Sequence, residues 1–441
     1  MMWILGNMSH ASATDLIPPA PKPGRLARYR VPRSVAFAGI SASLLAIFVA
    51  AGAPAPLLTL YEGSWKFAPS VLTLVFGVYA VALVAALLVI GSLSDHVGRR
   101  PLLIGALALE LVAMIIFLSA GSVAWLLVGR VLQGIATGVA SSTFGAAIVE
   151  LASERQKKVA ALMISLATTC GLAVGVLFSG LVALAIPSAA ESTVWIILVI
   201  VMTLGTLVAL ATPETSGRRP GAIRSLIPRV TVPPEVRGLF GRTVPSVISV
   251  FLETALFLGL IPTILAGGFG VRAPIVGGAI IFLMFAAASG VSGVAGDVRP
   301  HRLKVLGNAG MAAGAVLILL SLAAGVLPFI WLGAVVAGAG MGAAFTGTTR
   351  SLLPQVRPHE RAGLLSAVFT IAYLTLGGSA IVAGYLADVV GVKDMAMGFS
   401  VALVVASLFG LLLAAPAFSA TGDSKGPGLL RDRGHRCGDR I

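Results

Sequence analysis

Gly91-Ser92-Leu93-Ser94-Asp95-His96-Val97-Gly98-Arg99-Arg100 lies between two long apolar runs. Ten residues carrying one acid and two arginines, with glycine near each end, form a tight charged turn at a membrane surface. Such a turn joins two helices that fold back on each other where charge is costly. A protein that opens and closes at that surface can use the turn as a latch.

The composition agrees with a lipid solvent. Of 441 residues, 57% are hydrophobic and 11% charged, against about 25% charged in soluble domains. The 52 glycines suit helices that pack closely in a bilayer. A net charge of +14 invites nucleic-acid binding, but the basic residues fall in tails and loops between apolar runs, which is the positive-inside pattern of an integral membrane protein. Nucleic acid is therefore set aside as a partner. Cys170 sits in an apolar run and Cys437, beside His435, near the end of the chain, so no disulfide framework or metal cluster is implied.

Apolar runs long enough to cross a bilayer centre near residues 46, 81, 110, 137, 173, 202, 254, 285, 314, 339, 375 and 406. Twelve spans put both ends of the chain on one side. Of the 31 Lys and Arg, only Lys66, Arg272 and Lys393 fall in loops on one face, and Arg130 lies within a span. The opposite face is therefore read as cytoplasmic. The expected divisions are an N-terminal cytoplasmic tail at 1–33 without a signal-peptide core, a six-helix bundle at 34–211, a basic cytoplasmic loop at 212–243, a second bundle at 244–416 and a tail at 417–441.

The halves read as repeats. Gly91, Asp95 and Arg100 recur as Gly293, Asp297 and Arg302 with the same spacing, and Glu154-Arg155 recurs as Glu360-Arg361. Parallel repeats imply two bundles related by an axis along the membrane normal, with a site between them. The expected fold is thus an all-α integral membrane protein of twelve transmembrane helices in two six-helix pseudo-repeats.

This pattern resembles the major facilitator superfamily of secondary transporters over about residues 34–416. Gly91, Leu93, Asp95, Gly98, Arg99 and Arg100 meet every defined position of that family's loop 2–3 signature. Arg130 through Gly134 in span four looks like its Arg-x-x-x-Gly signature, linked in proton-coupled members to proton transfer. Gly171, Gly175 and Gly180 in span five resemble the glycine-rich antiporter signature, with Val176 where it has Pro and Ser179 where it has Gly. Pro213-Glu214-Thr215 after span six is also familiar from the family. The resemblance implies that Asp95 and Arg99 join an acid at the inner end of span four, here Glu150, and the start of span eleven, holding the inner side shut.

Three further side chains stand out. Glu110 lies about 11 residues before the turn near Ser119–Ser122, and Arg130 about 9 after it, so the rise of about 1.5 Å per residue sets them within a few Å in depth. A Glu110–Arg130 pair follows from this spacing, as a structural tie or as a tuned protonatable acid. Glu253 sits well inside span seven with no base in its flanks to neutralise it, which suits a proton carrier. By the resemblance, spans one, four, seven and ten line the cavity, offering Gln133, Thr137, Phe251, Phe257 and Phe345 among few polar groups. Such a lining fits a small, partly apolar solute better than a sugar. Pro54, Pro56, Pro245 and Pro262 mark places for helices one and seven to bend.

The expected function is proton-coupled export of that solute by alternating access at the cell membrane. An importer or uniporter is the alternative, and a membrane sensor a distant one. No phosphate-binding glycine loop is present, so neither ATP nor another cofactor is implied. The spans hold no paired nucleophile and base, so no enzyme is expected. The partners are the solute, protons and the lipid bilayer.

Overall fold

The computed structural model describes residues 31–414 apart from 218–219, 229, 297 and 358–359, without the side chains of Pro69 and Arg224. Asp297, residues 1–30 of the first tail and the whole of the second, with His435 and Cys437, lie outside the described residues, and Arg33, expected in the first tail, begins span one. Among the described residues, twelve helices are long and apolar enough to span a bilayer. In the first half these are Arg33–Trp65, Ser70–Ile90, Arg99–Leu118, Val123–Leu151, Glu154–Ala185 and Pro187–Ala211. In the second they are Pro234–Phe269, Pro274–Val294, Pro300–Ala324, Pro328–Gln355, Arg361–Val390 and Val392–Ala414.

The pseudo-repeat is visible in which spans touch. Within the first half span one packs on four, five and six, span two on four, and span three on four and six. Each pair recurs six spans later: seven on ten, eleven and twelve, eight on ten, nine on ten and twelve. Between halves, span two packs on eleven and span five on eight, a relation that also maps onto itself under the repeat.

Glycine sets the same crossing in both halves. A Cβ at Gly134 or Gly138 of span four would stand 2.5 Å from the carbonyl oxygen of Tyr79 or Leu83 in span two. Gly338 and Gly342 of span ten meet the carbonyls of Met284 and Ala288 in span eight in the same way. With no water to drive association inside lipid, helices hold by backbone approach, and a side chain here would pry the pair apart.

Span seven starts earlier than expected. Pro234–Val236 forms a single 3₁₀ turn that runs into the helix at Arg237, so the interhelix segment is 212–233 rather than 212–243. The charges of Arg237 and Arg242 do not end the helix, because both side chains are exposed and reach out of the apolar layer. Further along, Leu256–Leu260 is a π segment immediately before Ile261-Pro262. Pro262 has no N–H to give to Leu258, and its ring crowds that carbonyl, so one turn widens. Pro54 begins a helix after a single turn residue, Ala53.

Candidate functional site

The two halves enclose a cavity of about 1760 Å³. It reaches the face that carries the loop between spans two and three, the middle loop and the start of span eleven, through Asp95, Gly221 and Glu360. At the other face the halves close. A Cβ on Gly77 of span two would stand 2.7 Å from Ile381 of span eleven, and Gly384 meets the side chain of Thr73. A Cβ on Gly180 of span five would stand 3.2 Å from the Cα of Ile275 in span eight. Gly171 and Gly175 press instead on Phe48 and Val49 of span one.

The charged turn becomes a short helix, Ser94–Val97, followed by Gly98 at φ 106°. Only Gly98 needs the freedom of glycine there, since Gly91 is helical with φ −54°. Asp95 Oδ1 lies 2.6 Å from the Arg99 guanidinium, which also approaches Glu150 Oε1 at 3.1 Å. Arg99 further donates to Ser94 Oγ, and Thr215 Oγ1 donates to Glu150 Oε2 at 2.5 Å. The span-eleven arm expected of this latch is not engaged: Asp95 is 53% exposed and pairs with Arg99 alone among the described residues. The cavity opens beside it, so water solvates the carboxylate.

Glu214 completes the turn. Its Oε1 accepts from the Arg99 N–H at 2.8 Å, and Oε2 from that of Arg100 at 3.2 Å. It also accepts from the N–H groups of Thr215 and Ser216 at 3.0 and 3.1 Å. The first N–H groups of a helix have no partner within it, and a carboxylate at that positive end satisfies them. The Pro213-Glu214-Thr215 run by itself does not disclose this role; an acid just after span six, opposite the start of span three, is the signal in the sequence that points to it. In the second half Arg302 is exposed on span nine. Arg350 of span ten donates to the carbonyls of Ala295 and Gly296 at 2.7 and 2.6 Å.

Glu110 and Arg130 share one buried cluster without touching. Gln133 stands between them: Arg130 Nη1 donates to its Oε1 at 2.6 Å, and its Nε2 donates to Glu110 Oε1 at 3.1 Å and to Ala50 O at 3.0 Å. Arg130 Nε donates to Val75 O at 3.2 Å, and its guanidinium lies 4.3 Å from the Tyr79 ring centroid. The direct ion pair is thus replaced by an amide bridge, because one turn separates Arg130 from Gln133 on the same helix face. Gln133 is consequently not a cavity residue. Thr137 bonds to the Gln133 carbonyl at 2.8 Å and is buried as well. Phe257 is fully enclosed in the core of the second half. Of the five expected cavity residues, Phe251 and Phe345 alone line it.

Glu253 is also fully buried, off the cavity wall that Val250, Phe251 and Thr254 form, and among the described residues neither carboxyl oxygen has a hydrogen-bond partner. Two carboxyls and one guanidinium therefore sit behind the cavity, one set in each half, while its wall at mid-depth is aromatic and hydroxylic. No group of three or more His, Cys, Asp or Glu that could hold a metal occurs among the described residues.

A family model described as Major Facilitator Superfamily matches residues 36–380. No curated protein matches this chain. Among solved structures, the crystal structure of the human organic anion transporter MFSD10 (TETRAN) superposes with a TM-score of 0.65 at 16% identity, covering 86% of this chain and 100% of that one. At that identity the likeness speaks for the fold alone.

Proposed function

Because this chain belongs to the major facilitator superfamily of secondary transporters, we propose that it exports a small, partly apolar solute across the cell membrane by alternating access, driven by proton entry. The observation that carries this reading is the large cavity between two pseudo-repeated bundles, open at one face and sealed at the other by close glycine contacts. Rocking the halves about that site would exchange the open face for the closed one. The open face holds most of the loop arginines and lysines, which supports its assignment as cytoplasmic, with both ends of the chain inside.

We assign the proton to Glu253. It is fully buried, and among the described residues neither oxygen has a hydrogen-bond partner; rocking of the halves would bring a donor or water to it. Glu110, tied through Gln133 to Arg130, is the second carrier candidate. Asp95, Arg99 and Glu150 form the latch, with Asp95 free to swing toward span eleven when the inner face closes.

The test is proton movement in energised everted vesicles on adding lipophilic cations, uncharged drugs or organic anions, with Glu253→Gln and Asp95→Asn alongside. A solute-dependent fall of the pH gradient that disappears in Glu253→Gln establishes antiport and its carrier. A response surviving Glu253→Gln moves the carrier to Glu110. No response to any solute overturns proton-coupled export and leaves the importer or uniporter.

A further inference from the structure

The cavity wall is chemically two-sided. Spans seven, ten and eleven contribute Phe251, Phe345, Phe369 and Tyr373. Phe251 meets Phe345 and Tyr373 edge-on, at centroid distances of 6.4 and 5.5 Å, and Phe369 lies 6.2 Å from Tyr373. This forms a continuous aromatic surface, which offers ring edges and faces to another flat ring. Spans four and five contribute hydroxyls: Ser141, Ser165, Thr168 and Thr169. Ser141 is engaged with its own helix, and Thr169 both donates to its own helix and accepts from Ser289 of span eight at 2.7 Å. Ser165 and Thr168 have no protein partner among the described residues, so their hydroxyls are open to a ligand.

Charge is confined to the mouth and to the layer behind the wall. Asp95, His96, Arg99, Arg350 and Glu360 stand at the opening, and Arg99 and Arg350 are already engaged there. Arg130 is covered by Tyr79 and Phe76, whose rings lie 4.3 and 5.7 Å from its guanidinium. Glu110 and Glu253 are both fully buried away from the wall. A charged solute at mid-depth would lose hydration and find no counter-ion. A solute lacking hydrogen-bonding groups would leave the hydroxyl wall unused.

We infer that the transported solute is an uncharged, ring-bearing amphiphile, its ring set on the aromatic wall of spans seven, ten and eleven and its hydroxyl or amide edge on Ser165 and Thr168. This rests on the transporter reading above and narrows its substrate class. It also separates this chain from its structural neighbour, a human organic anion transporter.

The experiment is calorimetric binding to the purified full chain in detergent. Three ring-bearing sets serve as probes: uncharged (chloramphenicol, naphthamide), cationic (ethidium, N-methylquinolinium) and anionic (p-aminohippurate, naphthoate). The uncharged set should bind at least about tenfold tighter than its ring-matched charged counterparts. Tyr373→Leu and Phe251→Leu should each weaken uncharged binding about fivefold. Thr168→Val should weaken chloramphenicol about fivefold, as for one lost hydrogen bond, while Thr203→Val, on the exposed flank of span six, leaves it unchanged. Unaltered melting temperatures identify variants that fold. Tighter binding by either charged set overturns the class without touching transport, and so does folded protein that binds no uncharged probe. Chloramphenicol binding without any proton response in vesicles leaves the class intact and removes proton coupling instead.

Discussion

Replacing Gln133 by Leu should destabilise the first bundle more than any other single change of similar size in it. Gln133 makes three bonds in a dry site: with Arg130 at 2.6 Å, Glu110 at 3.1 Å and Ala50 O at 3.0 Å. Leucine nearly matches its volume, so packing changes little, and in lipid its extra apolar atoms add little because the unfolded span is already in an apolar solvent. Interhelical bonds in membranes measure about 0.6 kcal/mol on average and up to about 1.7, so three come to roughly 2–5 kcal/mol. The upper part of that range applies here, since Arg130 and Glu110 are fully buried and each loses its link to the other. The assay is reversible unfolding in mixed micelles, followed by fluorescence of Trp195, which stacks on Phe117 of span three at 4.6 Å. Thr137→Val is the control, because the Thr137 hydroxyl donates to the Gln133 carbonyl of its own helix and its loss should cost under about 1 kcal/mol. The triple change Glu110→Leu, Arg130→Leu and Gln133→Leu should regain most of the loss, as apolar replacement of a buried ionic cluster often does. If Gln133→Leu costs no more than Thr137→Val, or the triple variant is worse than the single, the bridge is not what holds these charges in place.

Gly98→Ala should cost about 1–3 kcal/mol in the same assay, since its φ is 106° and the new Cβ would stand 2.6 Å from Glu214 Oε2; an unchanged midpoint would contradict the turn geometry. Glu214→Gln keeps the shape but removes the charge from the start of span three, and should lose about 0.3–1 kcal/mol, shrinking as salt is raised. Gly138→Leu should abolish a monodisperse folded species on size-exclusion chromatography, whereas Gly63→Leu should not, because nothing lies within 4 Å of a Cβ at Gly63. In the open state described here, cysteine at Thr349 should react with a membrane-impermeant maleimide from the face carrying Asp95, and cysteine at Thr73, packed on Gly384 at the closed end, should stay unlabelled.

Span number, pseudo-repeat and the charged turn were legible in the sequence because each is a local property. A run of apolar residues is a span wherever it occurs, and a charged stretch with glycine near each end between two such runs signals a tight turn without reference to neighbours. The Glu110 and Arg130 depths followed from counting along a hairpin, again a local sum. The start of span seven was misplaced because charge alone marks an interface, whereas Arg237 and Arg242 lie on a helix that carries them out to water.

What lines the cavity was decided only by tertiary packing. Gln133 and Phe251 sit on spans that both flank the centre, yet one is sealed in a bundle and the other faces the solute path. Which way a helix turns its faces depends on where glycine lets its neighbour approach, as Gly134 and Gly138 do against Tyr79 and Leu83. That choice is made by the partner backbone, and no periodicity within span four records it. The same holds for Glu214, which sits beside Arg99 only after the four intervening spans, three to six, have brought residues 115 apart in sequence into contact. Sequence determined the solvent, the span count and the symmetry; the packing of backbones decided which charges are hidden and which walls the solute meets.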